Sequence, residues 1–388
     1  MIIEVKIGLL QCDSIGRFAG TTEFYLRKKT FYPKKKRHFH IFFSGSPVNR
    51  QLLNMIKRRL FVLESNFLYY IFNKIKKYYP KSRLWVNLDS TGWYYQDIWN
   101  NTVPQLTFTP EEHIKGKQIL TSLGIRAGET YICFHIRDKD YSDSSRPRDQ
   151  WWYNNDFRNF GENEILKALE RFVGEKVWAI RMGINIKKAL KTCNPRIIDY
   201  AFNSRTDFAD IYISAHCKFY VGNTAGIYLF ASIFGVPVAY INMAPLGESG
   251  RTGKDLFILK KYYSRPLKRY LLLREVIALG SLGEPPPDIN KEKNADPNDR
   301  TNSLLFARLS KNQLLTLVKM GIQIVENDSE EIFDLLQEME LMIDEGRLLM
   351  VEDLRQKYLG LFPKDHLIRT NQSNIAGQFL LRHKLLLE

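Results

Sequence analysis

Cysteine and histidine are both scarce in this sequence of 388 residues. The four cysteines form no Cys-x-x-Cys pair, and the seven histidines form no His-Glu-x-x-His arrangement. Neither a disulfide framework nor a structural zinc site is therefore expected. Most of the cysteines stand in apolar runs and are expected to be small core residues.

Long apolar runs are also missing. No uncharged stretch reaches the roughly 18 residues that cross a bilayer. The first ten residues are apolar, but Glu4 and Lys6 interrupt them and no small-residue cleavage site follows, so a β-strand is predicted there and not a signal peptide. We expect a cytoplasmic protein, with peripheral association at the inner face of the cell membrane left open.

Acidic residues are rare at the start of the chain. Residues 1–83 hold 18 Lys and Arg against 4 Asp and Glu, which gives +14 of the +15 carried by the whole chain. Three explanations stay open: a solvated basic face, binding to an anionic membrane or anionic acceptor, and binding to nucleic acid. Since no nucleic-acid motif accompanies the charge, nucleic acid is not expected as a partner.

Alternating strand and helix patterns run through most of the chain. Apolar segments typical of strands are predicted at 2–10, 38–43, 84–88, 131–136, 177–181, 218–221, 238–241 and 322–325. This alternation predicts an α/β fold in which parallel strands are covered by helices on both faces. We expect a basic, acceptor-side domain at 1–125, a donor-binding domain at 126–365, and a C-terminal helix within 366–388 that docks back on the first domain.

Local signals place several helices between these strands. A loop is predicted at 14–20 and a helix at 21–29, followed by helices at about 50–62 and 66–78. Pro110 with two following glutamates begins a further helix, because proline suits the first turn and acids suit the positive helix end. Gly124 is expected to end it.

Polar residues follow several strands at the end where parallel sheets bind ligands. His135, Arg137 and Asp138 follow the strand at 131–136, and alternation puts His135 and Arg137 on one side. The planar guanidinium of Arg137 suits a diphosphate. An ion pair of Arg137 with Asp138 or Asp140 is the alternative. Asp138-x-Asp140 also allows a metal site, although none is expected.

The segment Gly222–Gly226 follows the strand at 218–221. Its glycines allow close backbone approach, and the amides of Asn223, Thr224, Ala225 and Gly226 with the Thr224 hydroxyl predict a phosphate-binding turn before an apolar helix that runs to Phe234. The sequence is neither Gly-x-Gly-x-x-Gly nor a Walker A loop. A tight turn with a helix cap is the alternative.

Three further groups are weaker candidates. Arg181 and Gly183 end the strand at 177–181 and are predicted to meet phosphate or ribose, or else to be a surface arginine beside a turn. Asp207 is predicted to touch the donor or to cap its helix. In the first domain, Asp13 and Glu23 are candidate bases beside Arg17 on the acceptor side, with helix capping as the alternative for Glu23.

These segments, in this order, resemble a family of bacterial glycosyltransferases of surface polysaccharide synthesis. The resemblance spans most of the chain and is carried chiefly by Ile15-Gly-Arg-Phe-Ala19, Cys133-Phe-His-Ile-Arg-Asp138, Ile180-Arg-Met-Gly183, Ser204-Arg-Thr-Asp-Phe-Ala-Asp210 and Cys217-Lys-Phe-Tyr-Val-Gly222. It implies a GT-B-like architecture, with two Rossmann-like parallel-sheet domains facing across a cleft, and no obligatory metal. The His135-x-Arg137 strand end is also similar to the sugar-nucleotide-binding segment of certain fucosyltransferases, which implies that Arg137 contacts donor phosphate.

One residue departs from the family pattern. The family tends to have Ile-Gly-His-Leu-Ala in its first loop, whereas this chain has Arg17 at the histidine position. The general base is therefore left open among Asp13 and Glu23 in the first domain and Asp138 and Asp140 in the second.

The sequence thus predicts a metal-independent glycosyltransferase of the hexosyl or deoxyhexosyl class that serves lipopolysaccharide or capsule synthesis. A nucleotide-sugar is the expected donor substrate, a cell-surface glycan or lipid-linked hydroxyl the expected acceptor, and no cofactor is expected. Two alternatives are carried along: a non-catalytic basic module that binds acidic glycan, lipid or nucleic acid, and a metal-dependent transferase that uses Asp138 and Asp140.

Overall fold

The computed structural model describes residues 4–32, 38–88, 96–137, 156–175, 177–247, 250–280, 311–349, 351–362, 367–370 and 373–388. Within them the strands are Glu4–Leu9 (β1), His38–Ser44 (β2), Phe61–Glu64 (β3), Trp85–Val86 (β4), Thr130–Phe134 (β5), Val177–Arg181 (β6), Ile197–Ile198 (β7), Tyr220–Gly222 (β8), Val238–Met243 (β9), Leu256–Leu259 (β10), Lys261–Ser264 (β11), Arg269–Tyr270 (β12), Ile322–Val325 (β13) and Asn374–Ile375 (β14).

The described helices connect and flank these strands. They are Ile15–Phe31 (α1), Arg50–Lys57 (α2), Asn66–Tyr78 (α3), Gln96–Asn100 (α4), Pro110–Ser122 (α5), Glu162–Phe172 (α6), Tyr200–Asn203 (α7), Asp207–His216 (α8), Leu229–Ser232 (α9), Leu273–Ala278 (α10), Lys311–Lys319 (α11), Ser329–Glu345 (α12), Glu352–Gly360 (α13), Leu367–Thr370 (α14) and Gly377–Arg382 (α15). None has the length and apolar composition that crossing a bilayer requires.

Two parallel sheets form the framework. The first has the strand order β3-β2-β1-β4, and the second has the order β14-β10-β9-β8-β5-β6-β7, with every pair in both sheets parallel. A small antiparallel sheet, β12-β11-β13, lies beside them. The predicted fold of two Rossmann-like parallel-sheet domains in a GT-B-like arrangement is confirmed.

The two sheets meet through their carboxyl edges. Gly16, after β1, and Gly226, after β8, are so close that a β-carbon on Gly226 would lie 3.0 Å from the Gly16 nitrogen. Nearby, the Asn49 side chain donates to the Asp207 carbonyl at 2.9 Å. Arg27 crosses the same boundary and donates to the Ile233 carbonyl at 2.8 Å. The start of α1 therefore touches the turn after β8, and Arg27 farther along α1 contacts the residue that follows α9.

The helix predicted from Pro110 is confirmed, and its local chemistry explains it. The Thr109 side chain accepts from the Glu112 nitrogen at 3.2 Å while the Glu112 carboxylate accepts from the Thr109 nitrogen at 2.9 Å, which is a complete capping box. Gly124 adopts the positive φ of 89° that suits a residue after a helix end. The helix packs on α8, where Gly116 leaves room for the Tyr212 ring.

Three expectations at the element level are wrong. Residues 15–20 are helical, because burial of Phe18 and Ala19 outweighs the glycine content. The helix predicted at 50–62 ends at Lys57, and β3 follows as an edge strand beside β2.

The C-terminal segment is the third. It begins as β14, paired with β10, and continues as the short α15, which packs on α12. The amides of Gly377 and Gln378 donate to the Glu338 carboxylate at 2.9 and 3.0 Å. This end of the chain therefore lies on the second domain and does not dock back on the first.

Candidate functional site

The second sheet changes direction between β5 and β8. From β5 the chain continues outward to β6 and β7, whereas β8, β9, β10 and β14 extend on the other side. Connections leave such a point in opposite directions, so a crevice opens beyond the carboxyl ends of the two strands. His135 and Arg137 follow β5 at this point, and Asn223 and Thr224 follow β8.

His135 links the two strand ends. Its Nε2 lies 3.2 Å from the Oδ1 of Asn223, and the Asn223 amide nitrogen donates to the Arg158 carbonyl. Because the amide nitrogen is engaged in that way, Oδ1 is the acceptor and Nε2 carries the hydrogen. Burial, together with the nearby charges of Arg137 and Arg158, lowers the pKa of His135 to about 4, so the ring is neutral.

The ring of His135 is buried and packs against the backbone at the end of β8. Only 2% of the residue is exposed, and the ring lies against Gly222, where a β-carbon would come within 2.2 Å of Nδ1. In the structure this ring holds the Asn223 side chain in place, and the donor contact of His135 stays a prediction.

Arg158 enters the site from the segment before α6. Its Nε donates to the Thr224 hydroxyl at 3.1 Å, while its carbonyl accepts from Asn223. Arg158 and Thr224 are both buried, at 8% and 2% exposure. The guanidinium is thus fixed above the turn that follows β8.

Asn159 joins two more cations. Its Oδ1 accepts from the Arg137 Nη1 at 2.8 Å, and its carbonyl accepts from the Lys260 Nζ at 2.8 Å. Burial lowers the pKa of Lys260 to about 8; the charge of Glu326 opposes that shift and the charge of Arg137 adds to it. Lys260 is 3% exposed, directly after β10.

Together these residues form what we call the switch-point cluster: His135, Arg137, Arg158, Asn159, Asn223, Thr224 and Lys260. Three of them are cations that lie close together. The charges of Arg137 and Arg158 both lower the pKa of His135, and the charge of Arg137 also lowers the pKa of Lys260. Guanidinium and ammonium groups donate to anionic oxygens, so the arrangement is suited to binding a multiply charged anion such as a diphosphate.

The turn after β8 differs from the prediction in one respect. The Ala225 nitrogen donates to the Asn223 carbonyl at 2.8 Å, and the helix that follows, α9, has only four residues and begins at Leu229. A helix dipole therefore does not strengthen this turn, and its positive character comes from Arg158. Gly226 instead provides the close approach to the first domain.

Arg181 and Gly183 lie apart from the cluster. The Arg181 Nη1 donates to the Lys188 carbonyl at 2.9 Å and forms an ion pair with Asp199 at 3.3 Å, while only 3% of the residue is exposed. Gly183 leaves space for Ile186, whose Cδ1 would lie 2.7 Å from a β-carbon there. Both residues hold the loop after β6, and a buried ion pair replaces the predicted phosphate contact.

Asp207 also has a structural place. Its Oδ2 accepts from the Arg50 nitrogen at 2.7 Å, and its carbonyl accepts from Asn49, so it links the two domains. The predicted capping role is wrong, because the Thr206 hydroxyl caps α8 by accepting from the Ala209 nitrogen at 3.1 Å. A donor contact by Asp207 has no support in this geometry.

The first domain presents Asp13 and Arg17 at its carboxyl edge. The Arg17 Nη2 donates to the Asp13 carboxylate at 2.7 Å, and its Nε donates to the Ser14 hydroxyl at 3.1 Å. The Asp13 side chain is 56% exposed. The ion pair with Arg17 therefore orients the Asp13 carboxylate at a partly exposed position.

Glu23 lies in the interior of the first domain and not at the cleft. Its carboxylate accepts from the Arg27 Nε at 2.8 Å and from the nitrogens of Gln105 and Leu106 at 2.7 and 3.2 Å. It is fully buried in the middle of α1, so it neither caps that helix nor reaches an acceptor. Asp138, the third candidate base, lies outside the described residues, as does Asp140.

Sequence reasoning missed three members of the cluster, namely Arg158, Asn159 and Lys260. Lys260 carried a usable signal, because it directly follows the apolar run Leu256–Leu259 in the same way that Arg137 follows its strand. Arg158 and Asn159 stand at the end of a long polar segment, where no local pattern marks them.

The sequence matches no protein-family model and no curated protein. Among solved structures, the Escherichia coli ADP-heptose lipopolysaccharide heptosyltransferase II is similar, at 12% identity with a TM-score of 0.43, covering 65% of this chain and 90% of that one. A family 9 glycosyl transferase from Veillonella parvula is similar at 10% identity with a TM-score of 0.38, covering 63% of this chain and 82% of that one. Neither neighbour identifies the function of this chain.

Proposed function

We propose that this chain is a glycosyltransferase that moves a sugar from a nucleotide-sugar to a hydroxyl of a cell-surface glycan or lipid-linked acceptor. The observation that carries the proposal is the switch-point cluster, in which Arg137, Arg158 and Lys260 converge beyond β5, β8 and β10. The facing edge of the other domain supplies Asp13.

The cluster matches the charge that develops in such a reaction. As the bond between the sugar carbon and the diphosphate oxygen breaks, negative charge grows on the departing nucleoside diphosphate. Preorganised cations and hydroxyl donors at that position lower the barrier, because they need no rearrangement during the step. We assign this role to Arg137, Arg158 and Lys260, with the Thr224 hydroxyl beside them.

Asp13 is the proposed general base. The acceptor hydroxyl loses its proton to the Asp13 carboxylate while its oxygen bonds to the sugar carbon and the nucleoside diphosphate leaves. The ion pair with Arg17 orients the carboxylate, and 56% of the Asp13 side chain is exposed. Arg17, at the position where related chains tend to have histidine, thus positions the base.

Titration calorimetry with UDP, GDP, ADP and CMP, without added metal, tests the donor site. We expect one nucleoside diphosphate to bind, and Arg137→Ala to weaken it about tenfold or more, since charge-assisted contacts contribute roughly 1.5–3 kcal/mol. Arg126→Ala is the matched control, because Arg126 is exposed at the opposite end of β5. Equal binding by the Arg137 variant, or no binding of any nucleotide, would remove the donor site and favour a non-catalytic module.

Asp13→Asn separates chemistry from binding. Once the nucleotide is known, the variant should keep its affinity and lose about a hundredfold or more in the rate of transfer. Wild-type activity in the presence of EDTA tests whether the three cations suffice without a divalent metal. Full activity of Asp13→Asn would assign the base elsewhere and leave the donor proposal standing.

A further inference from the structure

Helix α3 exposes large aromatic side chains to solvent. Phe67, Tyr70 and Tyr78 are 71%, 56% and 77% exposed. Side chains three, four and eleven positions apart lie on one face of a helix, so these three form a single stripe together with Lys74. The Lys74 Nζ lies 4.6 Å from the centre of the Tyr70 ring. Lys77 is exposed beside them.

The opposite face of the helix accounts for its attachment to the domain. Phe72 packs on Phe43 of β2 with ring centroids 4.6 Å apart. The stripe therefore points away from the sheet. Phe72 attaches the helix to the sheet, while the three exposed rings lie together on the other side, and a grouped apolar surface of this kind is typical of an interaction site.

The charge of this region has one sign. Residues 65–88 contain five basic residues and no acidic one: Lys74, Lys76, Lys77, Lys81 and Arg83. The acidic residue just before the segment, Glu64, is engaged by the Lys57 Nζ at 2.7 Å and by Arg50. An anionic surface therefore complements the stripe.

The start of α3 adjoins the proposed acceptor side. The Asn66 side chain donates to the Ser46 hydroxyl at 3.2 Å, in the loop after β2. A β-carbon on Gly45 would lie 3.5 Å from the Tyr69 ring and 3.7 Å from the Cys12 sulfur, so that ring lies next to the loop that holds Asp13. A surface that touched the stripe would lie alongside the first-domain edge of the cleft.

We propose that the α3 stripe, defined as Phe67, Tyr70, Lys74, Lys77 and Tyr78, docks the protein on an anionic lipid bilayer. Aromatic rings with an apolar body and a polar tip insert at the lipid headgroup level, and lysines beside them bind the negative surface. A second copy fits poorly, because a two-fold contact of the stripe with itself would bring lysines together.

Co-sedimentation of the full chain with vesicles tests this inference. Vesicles of phosphatidylcholine alone are compared with vesicles that contain one quarter phosphatidylglycerol. We expect binding to the anionic vesicles, and weakening by salt. Lys74→Gln with Lys77→Gln should weaken binding about 25-fold, at roughly fivefold for each lysine. Phe67→Ser with Tyr70→Ser and Tyr78→Ser should weaken it about tenfold or more.

The matched control is Lys187→Gln with Lys188→Gln, an equal charge change at exposed positions of the second domain. It should bind vesicles as wild type does, and all variants should keep the wild-type melting temperature. No binding by wild type, or equal loss in the control, would overturn the inference. So would a dimer in sedimentation velocity that the stripe variants dissociate. The inference is separate from the proposed function, because Arg137→Ala should leave vesicle binding unchanged.

Discussion

Two neighbouring strands of the second sheet lead to arginines with different surroundings. Arg181 is the last residue of β6, and Arg137 follows β5 by three residues, at the same edge. Arg181 is buried against Asp199 and the Lys188 carbonyl. Arg137 is half-buried and shares Asn159 with Lys260.

The difference follows from the position of each strand in the sheet. The chain after β6 turns back to the neighbouring β7, and Asp199, which directly follows β7, lies over the Arg181 side chain. β5 borders the switch point, where no single connection covers both strand ends. Under the proposed function, the strand-end arginine beside the crevice binds an anion, whereas the one covered by a connection forms an ion pair.

The largest effect should come from removing the carboxylate that pairs with Arg181. Asp199→Ala leaves a buried guanidinium without its counter-charge, which should lower the free energy of unfolding by about 3–5 kcal/mol. Urea denaturation measures this. Glu129→Ala, which removes a partner of Arg196 at 3.6 Å in a more exposed pair, should cost about 1 kcal/mol or less. Equal costs for the two variants would mean that the Arg181 pair contributes no more than a surface pair.

Substitutions in the cluster around Arg137 should change nucleotide binding and not the free energy of unfolding. Arg158→Ala should weaken nucleotide binding about 10- to 100-fold, because a charge-assisted contact is lost. Thr224→Val removes only the hydroxyl that Arg158 contacts at 3.1 Å and should weaken binding less than tenfold. Calorimetry on both variants measures the two losses. A larger loss in the threonine variant would show that the hydroxyl, and not the guanidinium, binds the anion.

Local chemistry predicted a large part of this fold. Thr109, Pro110 and Glu112 determine the start of α5 by themselves, and the sequence revealed that helix. The contact of His135 with the turn at Asn223 could also be predicted, because parallel strands bring their carboxyl ends to one edge.

The remainder depends on partners far away in the chain. Arg158 pairs with Thr224 at a separation of 66 residues, and Asp199 reaches Arg181 across 18 residues, so neither contact leaves a local pattern. The glycines at 16 and 20 indicated a loop, but burial of their neighbours made a helix. Glu23 was predicted as a candidate base because the residues whose nitrogens it accepts from, Gln105 and Leu106, lie far from it in the chain and leave no local sign of its burial.

Two glycines, one at the switch point and one after β6, differ in what a β-carbon would meet. Gly226, at the switch point, faces the backbone of Gly16 in the other domain, whereas Gly183, after β6, faces the movable end of Ile186. Gly226→Ala should therefore cost roughly 1–2 kcal/mol of stability, because the domains must separate slightly, and should also weaken nucleotide binding. Gly183→Ala should change stability alone. Urea denaturation and calorimetry on both variants measure this, and weaker nucleotide binding by Gly183→Ala would contradict it.

The smallest effect should come from Lys260, and it should appear as a stability that rises with pH and a nucleotide affinity that falls with pH. Its folded pKa is about 8 against 10.5 without burial, so the unfolded chain binds more protons between these values and stability should rise with pH in that window. Binding of an anion needs the charged lysine, so nucleotide affinity should fall about three- to tenfold from pH 7 to pH 9. Lys260→Arg should keep its affinity constant over this range, and Lys260→Met should lose the pH trend in both measurements. A wild-type affinity that does not change with pH would place Lys260 outside the anion site, leaving Arg137 and Arg158 as the cations that distinguish this crevice from the end of β6.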